Sequence, residues 1–263
     1  MTHNINPVIV DFGLVQIRWY GFFYLLSFVL GYILLKKNFK YRNISLKSED
    51  YENLIFNLCL GVIIGGRLGF MLFYNLGYYI GNPLKLFAVW EGGMSFHGGA
   101  LGVIFVGWRF CKKYAVSFWK AADATAPIAT IGLGLGRLGN FINGELYGKP
   151  TDLPWGIIFP NDLENLPRHP SQLYEMFFEG VILFIITQTI LVKSHRNGLV
   201  FWSWLLGYGV FRFLIEFIRL PDDPPGYIWG FITIGQILST FMILAGLAGI
   251  LFHKPDRKCT ASQ

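Results

Sequence analysis

Apolar runs long enough to cross a bilayer recur along this chain, with basic clusters between them, and that pattern leaves few folds open. A hydrocarbon core of about 30 Å needs roughly 20 apolar residues in helical form. The runs are Trp19–Leu35, Leu54–Tyr74 (interrupted by Gly65-Gly66-Arg67), Phe96–Phe110, Ala121–Leu138, Gln172–Val192, Leu199–Ile218 and Ile232–Phe252. Pro127 is expected to kink the fourth run, which neighbouring helices can tolerate. The stretch 139–170 carries prolines at 150, 154, 160, 167 and 170 and is too polar to span. It is expected to form a small extramembrane head inserted into a single integral membrane domain, 1–263. Residues 1–17 are expected to be an exposed arm. Only 14% of the 263 residues are charged and 53% are hydrophobic, against about 25% charged in a soluble domain. The expectation is an all-α polytopic protein with about seven transmembrane helices.

The formal net charge of +6 would suggest nucleic acid in a soluble protein. Here it sorts by side. With the N-terminus outside, 14 Lys and Arg fall on the inner side, 6 on the outer side, and Arg67 and Arg212 lie within spans. Basic residues concentrate in cytoplasmic loops. This asymmetry predicts a periplasmic N-terminus, a cytoplasmic C-terminus and a periplasmic head at 139–170, with no nucleic-acid partner. The chain lacks the Lys/Arg-rich start of a cleaved signal peptide, so the first span is expected to remain. Cys59, Cys111 and Cys259 are odd in number and widely spaced. They offer neither a disulfide framework nor a zinc site, and they read as non-catalytic. No metal or cofactor is expected.

Three places carry polar chemistry. Residues Gly136 to Gly148, GRLGNFINGELYG, hold four glycines, an arginine, two asparagines and a glutamate at the end of an apolar run. Arginine offers a planar fork of donors suited to phosphate, and glycine permits close backbone approach. The bland reading is a solvated glycine-rich turn. The second place is the sixth run, where Tyr208, Arg212, Glu216 and Arg219 are spaced four, four and three and so share a helical face. Intramembrane charges usually face the bundle interior and mark function, although an Arg212–Glu216 pair that only fastens helices is the structural alternative. The third is Ser95-Phe96-His97-Gly98-Gly99. A lone histidine is often structural, but the flanking glycines leave space for a ligand, and an ordinary imidazole pKa near 6.5 suits a base. Glu145 and Glu216 could orient it or pair the arginines. Arg67 reads as structural. Asp123 lies near the inner end of its run, in contact with water.

GRLGNFINGELYG closely resembles the signature of the bacterial prolipoprotein diacylglyceryl transferases. Arg18–Gly21, Gly93–Gly99, His169–Glu175 and Tyr208–Arg219 resemble further stretches of that family, in its order, over nearly the whole chain. The resemblance implies an inner-membrane enzyme of lipoprotein biosynthesis. Its partners would be phosphatidylglycerol and a preprolipoprotein whose lipobox cysteine receives the diacylglyceryl group, with glycerol 1-phosphate released. It implies that Arg137 and Arg212 hold the phosphate and that His97 is the base or orients the donor, an alternative left open. Tyr20, Asn140, Asn143, Glu145, Gly148, Tyr208 and Glu216 would bind substrate or shape the site. The competing class is a transporter or channel for an anionic solute. It would need a charged path through to the inner side, whereas the polar residues here group at outer ends.

Overall fold

The computed structural model describes residues 1–13, 16–88, 93–221, 226–228 and 230–253, and leaves the side chains of Phe73, Tyr74, Phe96 and His97 outside that description. Each apolar run coincides with helix: α1 Trp19–Tyr41, α2 Ser48–Tyr74, α4 Phe96–Lys113, α5 Phe118–Asn143, α6 Ser171–Glu175 continuing into α7 Leu183–Lys193, α8 Leu199–Ile215 and α9 Ile234–Phe252. A short α3, Leu76–Gly81, follows α2. Four helical stretches are long and apolar enough to cross a membrane: Trp19–Tyr41, Ser48–Leu72, Ser171–Lys193 and Ile234–Phe252. No more than 33% of any of these stretches is buried within the chain, so their apolar surface faces outward. Leu25, Ile33, Phe241 and Leu251 are exposed, while Asn38, Glu175, Glu179 and Thr187 are buried. An apolar exterior around a polar interior is the arrangement that lipid favours.

The chain divides into two compact units, Met1–Tyr41 with Ala122–Gln263, and Arg42–Ala121. In the second unit α2 packs along α4 through glycines. A Cβ on Gly65 would come within 2.4 Å of the Gly98 carbonyl oxygen, and one on Gly102 within 2.0 Å of the Gly61 carbonyl oxygen. Small residues at such spacing let two membrane helices meet backbone to backbone. Gly98 is therefore filled by helix packing and does not leave room for a ligand. Ser95 starts α4 by accepting from the Gly98 N–H at 3.3 Å. Arg67, as expected, is structural. It donates to the carbonyls of Lys85, Leu86, Ala88 and Gly93 at 2.6–3.2 Å and lies over the Tyr79 ring.

In the first unit, α5 runs unbroken through Pro127 to Asn143. Gly139, Asn140 and Asn143 are thus helical, and the non-helical segment begins at Gly144. Between α6 and α7 the helix widens into a π-helical stretch, Met176–Ile182. There Gly180 meets α5: its Cβ would lie 2.8 Å from Gly134 Cα. Asp123 overturns its expected water contact. It is fully buried, and its carboxylate accepts from the N–H groups of Gly198 and Phe201 at 2.9 and 3.0 Å. The start of a helix holds N–H groups without intrahelical partners and a positive dipole end, so a carboxylate there compensates both. α9 opens with a capping box in which Thr233 and Gln236 exchange bonds.

The N-terminal residues are not simply an exposed arm. Val8–Asp11 (β1) pairs antiparallel with Gln16–Arg18 (β2), and the His3 N–H donates to the Ile158 carbonyl at 2.9 Å. The buried His3 ring packs against Phe141 and Phe159. The segment 144–170 is held by short antiparallel bridges, Gly148 to Arg219 and Arg168 to Pro150 and Ile157. Inside it Asp162 takes a bidentate pair from Arg168, at 2.7 and 2.8 Å.

The α2–α4 contact makes a simple prediction. Gly65→Ala or Gly98→Ala drives a methyl into backbone that cannot turn aside, so each should cost on the order of 1–3 kcal/mol or more. Gly107, also on α4, has nothing within 4 Å of its Cβ position. Gly107→Ala should be neutral or stabilising by up to ~1 kcal/mol. Thermal unfolding in detergent should rank the variants in that order, and equal midpoints would refute the close contact.

Candidate active site

Within the first unit, three arginines gather around one carboxylate. Pro170 precedes α6 and fixes its start, and five residues later Glu175 points into the interior with 1% of its side chain exposed. Arg137, near the end of α5, reaches Glu175 Oε2 through Nε. Arg212, in the last turn of α8, reaches Oε1 of the same carboxylate at 3.3 Å. Its other nitrogen, Nη2, meets Glu216 Oε2 at 3.0 Å. Arg219 Nε lies 3.9 Å from Glu175 Oε1. Three arginines thus converge on one carboxylate, two of them through opposite oxygens.

The expected stripe on the sixth run is only partly a helical face. α8 ends at Ile215, so Glu216 stands at its C-cap and Arg219 lies beyond it, in the bridge to Gly148. Convergence comes from the turn as much as from helical periodicity. Glu216 is held from α9 as well, where Thr233 Oγ1 donates to its Oε1 at 2.9 Å. Glu179, fully buried, sits within electrostatic range of Glu175, Arg137, Arg212 and Glu216. Tyr208 is one turn of α8 from Arg212, within range of the same charges, and stacks on Trp204. Charges taken out of water are tolerated when each finds a partner; Arg137, Arg212, Glu175 and Glu216 pair with one another, whereas neither oxygen of the Glu179 carboxylate has a hydrogen-bond partner among the described residues.

A second cluster closes the glycine-rich stretch. The side-chain NH2 groups of Asn140 and Asn143 both donate to Glu145 Oε1, at 2.8 and 3.2 Å. The partners of Glu145 among the described residues are therefore amides, not arginines. Gln172 and Ser171 donate to the carbonyls of Glu145 and Leu146 at 2.7 and 3.1 Å, which ties the stretch to the start of α6. Leu146 holds a left-handed φ of 60°, a conformation costly for a residue with a Cβ and common at functional sites. Tyr20 lies against Gly139, where a Cβ would be 2.7 Å from its Cδ2. It is within electrostatic range of both Glu145 and Arg137. Gly148 sits at a chain crossing with the Ile218 carbonyl oxygen 2.6 Å from its Cβ position, so no other residue fits. His97 lies in the first turn of α4, but its side chain lies outside the described residues.

A family model for prolipoprotein diacylglyceryl transferases matches residues 7–252. The chain belongs to this family. A phosphatidylglycerol–prolipoprotein diacylglyceryl transferase of Geobacter sulfurreducens is 52% identical over 244 residues, 93% of this chain and 94% of the relative. Relatives bearing the same name in Pseudomonas syringae pv. syringae and Legionella pneumophila are 49% and 46% identical, over 96% and 93% of this chain. Their shares of their own length are both 95%. The chain therefore covers the transferases nearly end to end.

Sequence reasoning found Arg137, Arg212 and Glu216 but gave no role to the group that joins them. Glu175 closed a stretch noted only for its family likeness, and Glu179 went unremarked. The signal was present: two glutamates four residues apart at the start of an apolar run satisfy the same rule that singled out Arg212.

The segment 144–170 is expected to respond to acid. Arg168, bonded to Asp162, holds that carboxyl below its ordinary value, and burial holds the His169 imidazole below its own. Both shifts make the folded state bind fewer protons than the unfolded chain. Stability from His169 is complete above about pH 6.5 and declines as pH falls below it, and the Asp162 contribution is lost only below about pH 4. The thermal midpoint in detergent should fall between pH 7.5 and 5, and His169→Asn should flatten that fall. An unchanged pH dependence in the variant would remove His169 as its source.

Proposed function

We propose that the chain moves the diacylglyceryl group of phosphatidylglycerol onto the thiol of the lipobox cysteine of a preprolipoprotein, the first step of bacterial lipoprotein maturation. The observation that carries this reading is the meeting of Arg137 and Arg212 on opposite oxygens of the Glu175 carboxylate. Two guanidinium groups disposed about one anion can hold a phosphate in the same way, and the near full-length match to named transferases supplies the substrates.

The chemistry then follows from the parts. The thiol, with a free pKa near 8.5, loses its proton to a base, for which His97 is the candidate; orienting the donor is its other possible role. The thiolate attacks the glyceryl CH2 attached to the phosphate oxygen. A C–S bond forms, the C–O bond breaks, and the electron pair leaves with glycerol 1-phosphate. The leaving phosphate gains negative charge, which Arg137 and Arg212 stabilise where it develops. Glu175 is the anion that holds the two arginines until the lipid phosphate replaces it. Glu216 and Tyr208 position Arg212. Asn140, Asn143, Glu145, Gly148 and Tyr20 shape the donor side.

The same reading makes this a seven-span protein of the inner membrane, with the N-terminus and residues 144–170 periplasmic and the C-terminus cytoplasmic. The basic-residue asymmetry supports it. In spheroplasts, an impermeant thiol reagent should label Leu163→Cys, whose parent side chain is 98% exposed, and leave Cys259 untouched. Labelling of Cys259 in sealed cells would reverse the orientation.

The activity has a direct test. Purified protein with phosphatidylglycerol and a lipobox peptide should release glycerol 1-phosphate. Arg137→Lys and Arg212→Lys keep the charge but lose the fork, and each should lower the rate by about 10²–10³. In phosphatidylglycerol binding, Arg137→Ala with Arg212→Ala should cost less than the sum of the single changes, because both act on one phosphate. Strict additivity would assign the arginines to different partners.

A further inference from the structure

Beside the arginine cluster lies a recess of about 280 Å³, lined by Glu145, Leu146, Tyr147, Asn161, Arg219 and Leu220, among others. One side chain joins the two places. Arg219 lines the recess and also approaches Glu175 Oε1 at 3.9 Å. It follows Arg212 by seven residues, past the end of α8, so the recess adjoins the arginines on the side of the segment 144–170.

We propose that this recess takes the terminal glycerol of the lipid headgroup and passes it outward as glycerol phosphate after transfer; the inference rests on the function proposed above. Size argues for a small occupant. Pockets for drug-sized ligands run from about 300 to 1,000 Å³, so this one sits at the small end, with room for a headgroup fragment such as glycerol and too little for a whole lipopeptide. Chemistry argues for a neutral hydroxylated one. The Glu145 carboxylate accepts hydrogen bonds from hydroxyls, and the Arg219 guanidinium donates to them. An ammonium headgroup would meet Arg219, and a second phosphate would meet Glu145. Orientation agrees: in an anionic glycerolipid the acyl chains lie inward, the phosphate next and the terminal glycerol outermost. A phosphate on Arg137 and Arg212 directs that glycerol toward Arg219.

The test compares two donors with the same phosphodiester charge, phosphatidylglycerol and phosphatidylmethanol, in transfer to a lipobox peptide. Wild-type protein should favour phosphatidylglycerol by at least tenfold in kcat/KM. Leu220→Trp fills the recess and should bring that ratio close to one. Equal use of the two donors by wild type, or an equal loss on both in Leu220→Trp, would overturn the proposal. A second measurement needs no variant and no turnover. Free glycerol 1-phosphate should raise the thermal midpoint of wild-type protein at concentrations about tenfold lower than methyl phosphate or inorganic phosphate. If all three bind alike, the recess reads nothing beyond the phosphate. If none of the lipids supports transfer while glycerol 1-phosphate still binds preferentially, the recess stands and the proposed reaction falls.

Discussion

The charged groups where α5, α6 and α8 meet are organised by the carboxylate of Glu175. Arginines inside an apolar bundle repel one another and would be driven toward water if nothing held them. A buried anion between Arg137 and Arg212 reverses that, and it fixes the end of α5, the end of α6 and the last turn of α8 to one another. Under the proposed function, the same group would let a lipid phosphate enter without rebuilding the site. The arginines already face an anion, and exchanging one anion for another changes the charge balance less than bringing phosphate to unpaired cations. The interaction serves assembly, and under the proposed function it would serve binding as well.

The helices were legible because membrane spans are written as uninterrupted apolar length. The runs inferred from Trp19, Gln172 and Ile232 begin within two residues of α1, α6 and α9. The capping groups that set those starts are also short-range: Pro170 ahead of α6, and Thr233 with Gln236 at α9. Arg212 and Glu216 were legible for the complementary reason, since a charge inside such a run must have a cause. The likeness to the transferase signature singled out Tyr20, Asn140, Asn143 and Gly148, which composition alone would not have separated from an ordinary turn.

What the sequence hid depends on which segments meet. Asp123 reads as wetted because it lies near the inner end of its run, yet it accepts from Gly198, 75 residues away. Gly98 was read as open space because glycine removes a side chain. The opposing α2 backbone fills that space, and a pattern of glycines cannot say whether a ligand or a helix approaches. The π-helical stretch Met176–Ile182 has no hydrophobic period of its own and passed as ordinary helix. It widens the turn between Glu175 and Gly180, which allows the glutamate to face the arginines while Gly180 meets α5. The docking of residues 1–3 on Ile158 rests on backbone bonds that carry no residue signature.

The two fastenings of α8 have a bearing on how the site meets its lipid. At one end the Asp123 carboxylate holds the first N–H groups of the helix, and at the other Glu216 is held by Thr233 of the next helix. Between these fixed ends Arg212 can neither slide along the bundle axis nor follow the surrounding membrane. A bilayer that thins or thickens with its acyl composition moves its own phosphates up or down, while the protein's cation stays where the length of α8 puts it. The enzyme therefore carries an internal height gauge. On the proposed function, donor lipids would meet the arginines by rising or sinking within the leaflet beside the protein, and lateral lipid packing would become a variable in the encounter.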